Sequence, residues 1–165
     1  MNNREIAEQC LRDEAHAILS LIPQLDENFD RVVDLILACR GKVIVTGVGK
    51  SGHIGAKIAS TLSSTGTPSF YVSPLDFYHG DLGVISHDDV VLAISNSGQT
   101  DDLLRFIPFL TDEHIPLIAM TSNPDSLLAR NSTCHLSIAI DREACPLNLA
   151  PTNSTTATLA MGDAL

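Results

Sequence analysis

Two short glycine-containing segments hold most of the side chains that could do chemistry. The first, TGVGKSGHIG (46–55), contains Lys50 and Ser51. The candidate ligand-binding residues of the second, SNSGQT (95–100), are Ser95, Asn96, Ser97, Gly98 and Thr100. Hydroxyls and backbone N–H groups can hold a phosphate without arginine, and helix N-termini add a partial positive charge. The two segments therefore predict a phosphate-binding site served by one cation, Lys50.

The first segment has other interpretations. Gly47, Gly49 and Gly52 satisfy the G-x-G-x-x-G pattern of dinucleotide-binding folds, but the acidic residue expected after the second strand is absent from SFYVSP (69–74). A nucleoside-triphosphate P-loop is rejected because Ile44 occupies the position of its first glycine. Tight turns and helix caps would explain each segment separately, but not their expected convergence beside Lys50.

The elements that must position these segments follow from hydrophobic periodicity. Helical spacing of apolar residues predicts helices over 3–22 and 26–39, separated by Pro23 and closed by Gly41. Short β-branched runs predict five strands, at 42–46, 68–72, 89–94, 115–120 and 135–140. Because these runs are apolar on both faces and widely separated, we expect parallel strands joined by crossovers.

The predicted fold class is α/β: a doubly wound five-stranded parallel sheet of flavodoxin-like order, preceded by two N-terminal helices. In that order, both polar segments lie where the first and third strands diverge. We expect residues 1–40 to form a helical segment packed on a domain of residues 41–165. The final stretch, TNSTTATLAMGDAL (152–165), begins with the capping residues Thr152 and Ser154, and its helical pattern stops at Leu165. We therefore expect a longer native chain.

Composition argues against several classes of function. A formal net charge of −10 is unfavourable for binding nucleic acid. No apolar run reaches the roughly 20 residues of a membrane span, and the N-terminus lacks a signal-peptide pattern, so we expect a soluble cytoplasmic protein. Four widely spaced cysteines indicate neither disulfides nor a metal site, and we expect mostly buried thiols.

Four longer stretches carry a family resemblance. They are VTGVGKSGHIGAKIASTLSSTGTPSFYV (45–72), HGDLG (79–83), AISNSGQT (93–100) and EACPLNLAPTNSTTATLAMGDAL (143–165). From about Gly41 to Leu165 the chain resembles the sugar isomerase (SIS) domain of bacterial D-arabinose 5-phosphate isomerases. The resemblance implies interconversion of D-ribulose 5-phosphate and D-arabinose 5-phosphate, which supplies 3-deoxy-D-manno-octulosonate for lipopolysaccharide or capsule.

Such an isomerisation requires a base, an acid and a group that stabilises the developing oxyanion, and formally requires no metal or redox cofactor. The resemblance implies that Lys50 lies beside the reacting carbonyl or the phosphate. It implies that Glu143 and His79 are the acid and base candidates, with Glu143 first. The ordinary alternatives are that Glu143 is a solvated loop residue and that His79 is a helix or turn cap.

Asp102 departs from the family pattern, which has glutamate at this position. Aspartate is shorter by about 1.5 Å, one carbon–carbon bond, so Asp102 either transfers a proton after a backbone adjustment or has a supporting role. The family also has a candidate histidine beyond Leu165. SIS relatives assemble as dimers or tetramers, so we expect a homodimer or homotetramer. The alternative function is a non-catalytic sugar-phosphate sensor.

Overall fold

The protein is a layered α/β structure, described by a computed structural model for residues 2–165. In that range the five strands are β1 (Val43–Gly47), β2 (Ser69–Tyr71), β3 (Val90–Ile94), β4 (Leu117–Thr121) and β5 (Cys134–Ser137). The helices are α1 (Asn3–Leu19), α2 (Glu27–Ala38), α3 (Lys50–Ser64), α4 (Pro74–Tyr78), α5 (Asp101–Leu104), α6 (Ile107–Asp112), α7 (Leu127–Arg130) and α8 (Asn153–Ala164). All strand pairs are parallel, in the order β2-β1-β3-β4-β5. The predicted fold class and strand order are confirmed.

The strand order changes direction at β1: β2 is added on one side of β1, and β3, β4 and β5 are added on the other side. β1 and β3 pair in register from Val43 with Val90 to Gly47 with Ile94. Every residue of both strands is buried, as expected for strands covered on both faces. Because the connections from β1 and β3 leave toward opposite sides, a crevice opens at the carboxyl ends of these strands.

Alternate residues of the strands build one hydrophobic core on each face of the sheet. Val43 and Val45 belong to the core formed with α2, α3 and α8. Ile44 belongs to the core on the opposite face, formed with α4, α5, α6 and α7. Helices therefore cover both faces, and the ends of β1 and β3 are supported from both sides.

Both predicted N-terminal helices are present. Asn2 and Glu5 form a reciprocal capping box at the start of α1, and a 3-10 turn at Ile22–Gln24 contains Pro23 between the two helices. α1 packs along α8 and α2 packs against β5. The division of the chain near residue 40 stays a prediction, because α2 contributes Val32 and Ile36 to the same core as β1.

The cysteines differ in part from expectation. All four are free, but only Cys134 is buried, and the other three are half-buried: Cys10 within α1, Cys39 at the end of α2 and Cys145 in the loop before α8. The prediction of mostly buried thiols is therefore wrong. Nowhere in residues 2–165 is there a helix whose length and apolar character would let it cross a membrane.

Asp89, which precedes β3, ties together the beginnings of β1 and β3. Its fully buried carboxylate accepts hydrogen bonds from Lys42 Nζ at 2.8 Å and from the backbone N–H groups of Lys42 and Ser86 at 2.9 and 2.8 Å. Burial alone raises the pKa of this carboxyl, but the bonds from Lys42 and Ser86 outweigh burial and lower the pKa. The ionised form of Asp89 therefore stabilises the fold more than the protonated form does.

We predict that Asp89→Asn lowers the free energy of unfolding by about 2 kcal/mol, because it leaves Lys42 without its buried counter-ion. The pKa of Asp89 is lower in the folded state than in the unfolded state. Its contribution is therefore complete above about pH 4 and is lost as pH falls through the folded-state pKa. Urea unfolding of the wild-type protein and of Asp89→Asn at a series of pH values measures the difference in their free energies of unfolding. The exposed neighbour provides the control Asp88→Asn, and an equal loss in both variants would contradict the prediction.

Candidate functional site

A cleft of about 500 Å³ opens at the carboxyl ends of the strands. Its walls come from the β1–α3 connection, the residues after β3, β4 and β5, and the first turns of α8. The lining residues are Val48, Lys50, Ser51, Ile54, Asn96, Ser122, Ile140, Asp141, Arg142, Glu143, Asn148, Leu149, Pro151, Ser154, Thr155 and Thr158. The cleft lies where the strand order predicts a ligand site.

The β1–α3 connection brings the N-terminus of α3 to one end of this cleft. Gly52 makes this possible, since a Cβ at that position would lie 2.5 Å from the Tyr71 hydroxyl and 2.7 Å from the Gly47 carbonyl oxygen. The Tyr71 hydroxyl donates a 2.7 Å hydrogen bond to that same carbonyl. The first-turn N–H groups of a helix have no intrahelical partners, so those beside Lys50 and Ser51 are suited to an anion.

In the segment after β3, most of the hydroxyls form hydrogen bonds within the segment. The buried Ser95 hydroxyl pairs with the Thr100 hydroxyl at 2.8 Å and accepts the Gly98 N–H at 3.0 Å. Gly98 has φ 64° and is pressed against Ser126, so a side chain there would be strained and crowded. Ser97 is exposed and accepts the Gln99 N–H at 3.2 Å. Of this segment only Asn96 is among the residues lining the cleft.

The two long helices that begin at the cleft are α3 and α8. α5, which follows the SNSGQT segment, contains only four residues, Asp101–Leu104. α8 contains twelve residues, and Ser154 and Thr155 in its first turn line the cleft. After Arg105 and Phe106 a separate helix, α6, begins at Ile107 with Pro108 in its first turn.

The four candidate catalytic residues are divided between two places. Lys50 and Glu143 line the same cleft. His79 is exposed at the end of α4, and Asp102 lies in the single turn of α5. The Tyr78 hydroxyl links these two elements through a 2.7 Å hydrogen bond to the Asp102 carbonyl oxygen. Neither His79 nor Asp102 lines the cleft.

Glu143 is held by the start of α8. Its Oε2 atom accepts the Thr152 N–H at 2.8 Å, the Thr152 hydroxyl at 3.1 Å and the Ser154 N–H at 3.1 Å. Partial burial alone raises the pKa of this carboxyl, but hydrogen bonds from Ser154 and Thr152 outweigh it and lower the pKa. Glu143 is therefore a fixed carboxylate that is ionised at neutral pH.

This arrangement corrects the expectation that Thr152 caps α8. Thr152 occupies the N-cap position, but within residues 2–165 its side chain makes no capping bond to its own helix. The Glu143 carboxylate, nine residues earlier, accepts the N–H groups that need partners. Since this contact depends on the path of the intervening loop, local spacing could not have predicted it.

The loop between Glu143 and Thr152 is closed by its own hydrogen bonds. Asn148 Oδ1 accepts the Glu143 N–H at 2.7 Å, and the Thr152 hydroxyl accepts the Ala144 N–H at 2.9 Å. Asn148 has φ 52°, a left-handed conformation that asparagine tolerates. The loop is thus a built wall of the cleft. The sequence indicated its importance only through the family resemblance.

Two ionisable residues of the cleft were missed by the sequence reasoning, Asp141 and Arg142. Arg142 is paired with Asp13 of α1 at 2.9 Å. The cleft therefore combines two cations, Lys50 and Arg142, with two carboxylates and several hydroxyls. This set suits a small anionic and hydroxylated ligand. Among the described residues, no group of three His, Cys, Asp or Glu side chains could hold a metal ion.

Known proteins share this fold and much of this sequence. A family model described as "SIS domain" matches residues 36–165. Arabinose 5-phosphate isomerase KdsD of Yersinia pestis is 51% identical over 162 residues, covering 98% of this chain and 49% of the relative. The protein of the same name from Pseudomonas aeruginosa is 50% identical over 159 residues, covering 96% of this chain and 49% of the relative. The chain spans about half the length of these curated relatives.

A solved structure of similar size matches over almost the whole chain. It is E. coli CFT073 c3406 in complex with arabinose 5-phosphate, with a TM-score of 0.94 and 40% sequence identity. The match covers 99% of this chain and 89% of that chain.

We predict that Gly52→Ala lowers the free energy of unfolding by about 1–3 kcal/mol, because the added methyl group separates α3 from the end of β1. Urea unfolding measures this loss. Gly83→Ala is the matched control, since a Cβ there meets nothing within 4 Å. If Gly52→Ala is as stable as Gly83→Ala, the close approach of α3 does not constrain the site.

Proposed function

This chain belongs to the SIS domain family, and from that premise we propose that it interconverts D-ribulose 5-phosphate and D-arabinose 5-phosphate. The observation that carries the proposal is that Lys50 and Glu143 line one cleft beside the start of α3. Relatives about 50% identical are named arabinose 5-phosphate isomerase, and the 40% identical structure is a complex with arabinose 5-phosphate.

We assign the phosphate to the end of the cleft where α3 begins. Ser51 and the first-turn N–H groups of α3 would donate hydrogen bonds to the phosphate, and Asn96 lies on the same cleft wall. Ser95, Thr100 and Gly98 would hold the SNSGQT segment in shape. Ser97 is exposed but does not line the cleft, so its side chain would have to turn toward the phosphate to donate to it. Neutral donors then bind most of the phosphate charge.

The chemical step is a redox-neutral proton transfer. A carboxylate base removes a proton from C1 of the ketose, which leaves an enediolate across C1 and C2. Return of that proton to C2, with transfer of the hydroxyl proton from O1 to O2, gives the aldose, which has a C1 carbonyl and a C2 hydroxyl. The step consumes no oxidant or reductant, and we propose no cofactor.

Glu143 is the proposed base, and Lys50 the group that stabilises the enediolate oxygen. The hydrogen bonds from Thr152 and from the Ser154 N–H all lie on Oε2. We assign the other oxygen, Oε1, to the substrate. His79 and Asp102 stay candidates for the second proton transfer, which would require them to approach the cleft.

We further propose the biological role implied by the resemblance, supply of arabinose 5-phosphate for 3-deoxy-D-manno-octulosonate. The cytoplasmic location and the homo-oligomeric state expected from the sequence stay predictions. A non-catalytic sugar-phosphate sensor is the competing function. Binding of the sugar phosphate without turnover would favour the sensor.

We predict that the protein converts ribulose 5-phosphate to arabinose 5-phosphate and that Glu143→Gln lowers kcat by about 100-fold or more, because glutamine cannot accept the proton. The glutamine carbonyl can still accept the N–H groups at the start of α8, so substrate binding should change little. A coupled assay for arabinose 5-phosphate gives kcat and KM. The exposed glutamate of α2 provides the control Glu27→Gln, and full activity of Glu143→Gln would exclude Glu143 as the base.

We predict that Ser51→Ala and Ser97→Ala each raise KM by about 10-fold or more with a smaller effect on kcat, because each removes a hydroxyl from a charged phosphate. The same assay separates the two constants. Ser64→Ala, at the far end of α3, is the control. An unchanged KM in Ser51→Ala would place the phosphate elsewhere.

A further inference from the structure

Thr152 makes more contacts with Glu143 and its neighbour than a loop residue needs to close a turn. Its N–H and its hydroxyl both donate to Glu143 Oε2, at 2.8 and 3.1 Å. The same hydroxyl oxygen accepts the N–H of Ala144, at 2.9 Å. One hydroxyl therefore fixes both the carboxylate of Glu143 and the backbone immediately after it.

This double role requires a group that donates and accepts at once. A threonine hydroxyl has one proton to donate and lone pairs to accept with, whereas valine has the same shape with neither. The Thr152 side chain also forgoes the bond that an N-cap threonine ordinarily accepts from its own helix. Its hydroxyl is directed to Glu143 instead.

These contacts distinguish the two oxygens of the Glu143 carboxylate. Oε2 receives the bonds from Thr152 and Ser154, so the plane and the rotamer of Glu143 are restrained. Oε1 makes none of these three bonds and belongs to a residue that lines the cleft. A base held in this way loses little freedom when substrate binds.

We infer that Thr152 is a positioning residue for the proposed reaction, orienting the Glu143 carboxylate so that Oε1 faces the carbon that loses its proton. The inference rests on the proposed isomerase function and on Glu143 as the base. The Thr152 hydroxyl would act through Glu143 and would not itself touch the reacting atoms.

A helix cap without a catalytic role would give a different result. Removing the hydroxyl would then lower stability but would leave kcat unchanged at a pH where Glu143 is fully ionised. If Thr152 positions the base, its loss also removes a donor from the ionised carboxylate, and the pKa of Glu143 rises. The other charged or titratable groups nearby are unchanged by the substitution; they are Lys50, Asp13, Asp141, Arg142 and Cys145.

The test compares Thr152→Val and Thr152→Ser with the wild-type protein. We expect Thr152→Val to lower kcat by about 10- to 100-fold with little change in KM. We also expect the acidic limb of its kcat/KM profile to move to higher pH. Thr152→Ser keeps the hydroxyl and should restore both the rate and the position of the limb. If Thr152→Val does not fold, Thr152→Ala is measured in its place with the same expectations.

Thr156→Val is a matched control. The Thr156 hydroxyl also donates to a glutamate, Glu14 Oε2 at 2.7 Å, from the same helix but outside the cleft lining. We expect Thr156→Val to be less stable than the wild-type protein, with no shift in the acidic limb of its kcat/KM profile. An unmoved limb in an active, folded Thr152→Val protein would overturn the inference alone. Absence of turnover in the wild-type protein would overturn the proposed function, and the inference with it.

Discussion

The close approach of α3 to the end of β1 is the constraint on which the rest of the site depends. Where Gly52 lies against Gly47 and the Tyr71 hydroxyl, there is no room for a side chain. The approach brings the first turn of α3, with Lys50 and Ser51, to the crevice where β1 and β3 diverge. A helix that began even a few ångströms further from the strand would direct its N–H groups into solvent instead of the cleft.

The second wall depends on a carboxylate that serves both the helix and the loop. The start of α8 needs an acceptor for its free N–H groups, and Glu143 needs hydrogen bonds to offset its partial burial. The N–H groups of Thr152 and Ser154 donate to Glu143, so the start of α8 gains an acceptor and Glu143 gains donors. Because the contact spans nine residues, it also closes the loop between Glu143 and Thr152 into a defined cleft wall.

The sequence predicted the framework better than the site. Strands such as β1 and β3 are continuous apolar runs, and their pattern and spacing predict parallel strands joined by crossovers. The strand order comes from the assigned fold class and is not contained in the runs themselves. The position of Glu143 Oε2 and the pairing of Arg142 with Asp13 depend on contacts across the chain, which no local pattern contains. Ser95 and Thr100 show the same limit. The sequence identified both hydroxyls as polar groups of the segment, but it could not show that they bond to each other.

A chain of net charge −10 can still hold an anion in this cleft, because most of its acidic residues are too far from the cleft to repel the anion strongly. At physiological ionic strength, exposed charges more than about 8 Å away are largely screened, whereas donors within the cleft act at contact distance. Lys50 and Arg142 supply the local positive charge, and the start of α3 adds oriented N–H groups. Asp13 holds Arg142 at the cleft wall from outside it, so the acidic composition helps to place the cation. Glu143 can then remain ionised in the same cleft, because its charge is satisfied by Thr152 and Ser154 and need not be neutralised by the cations that would face the ligand.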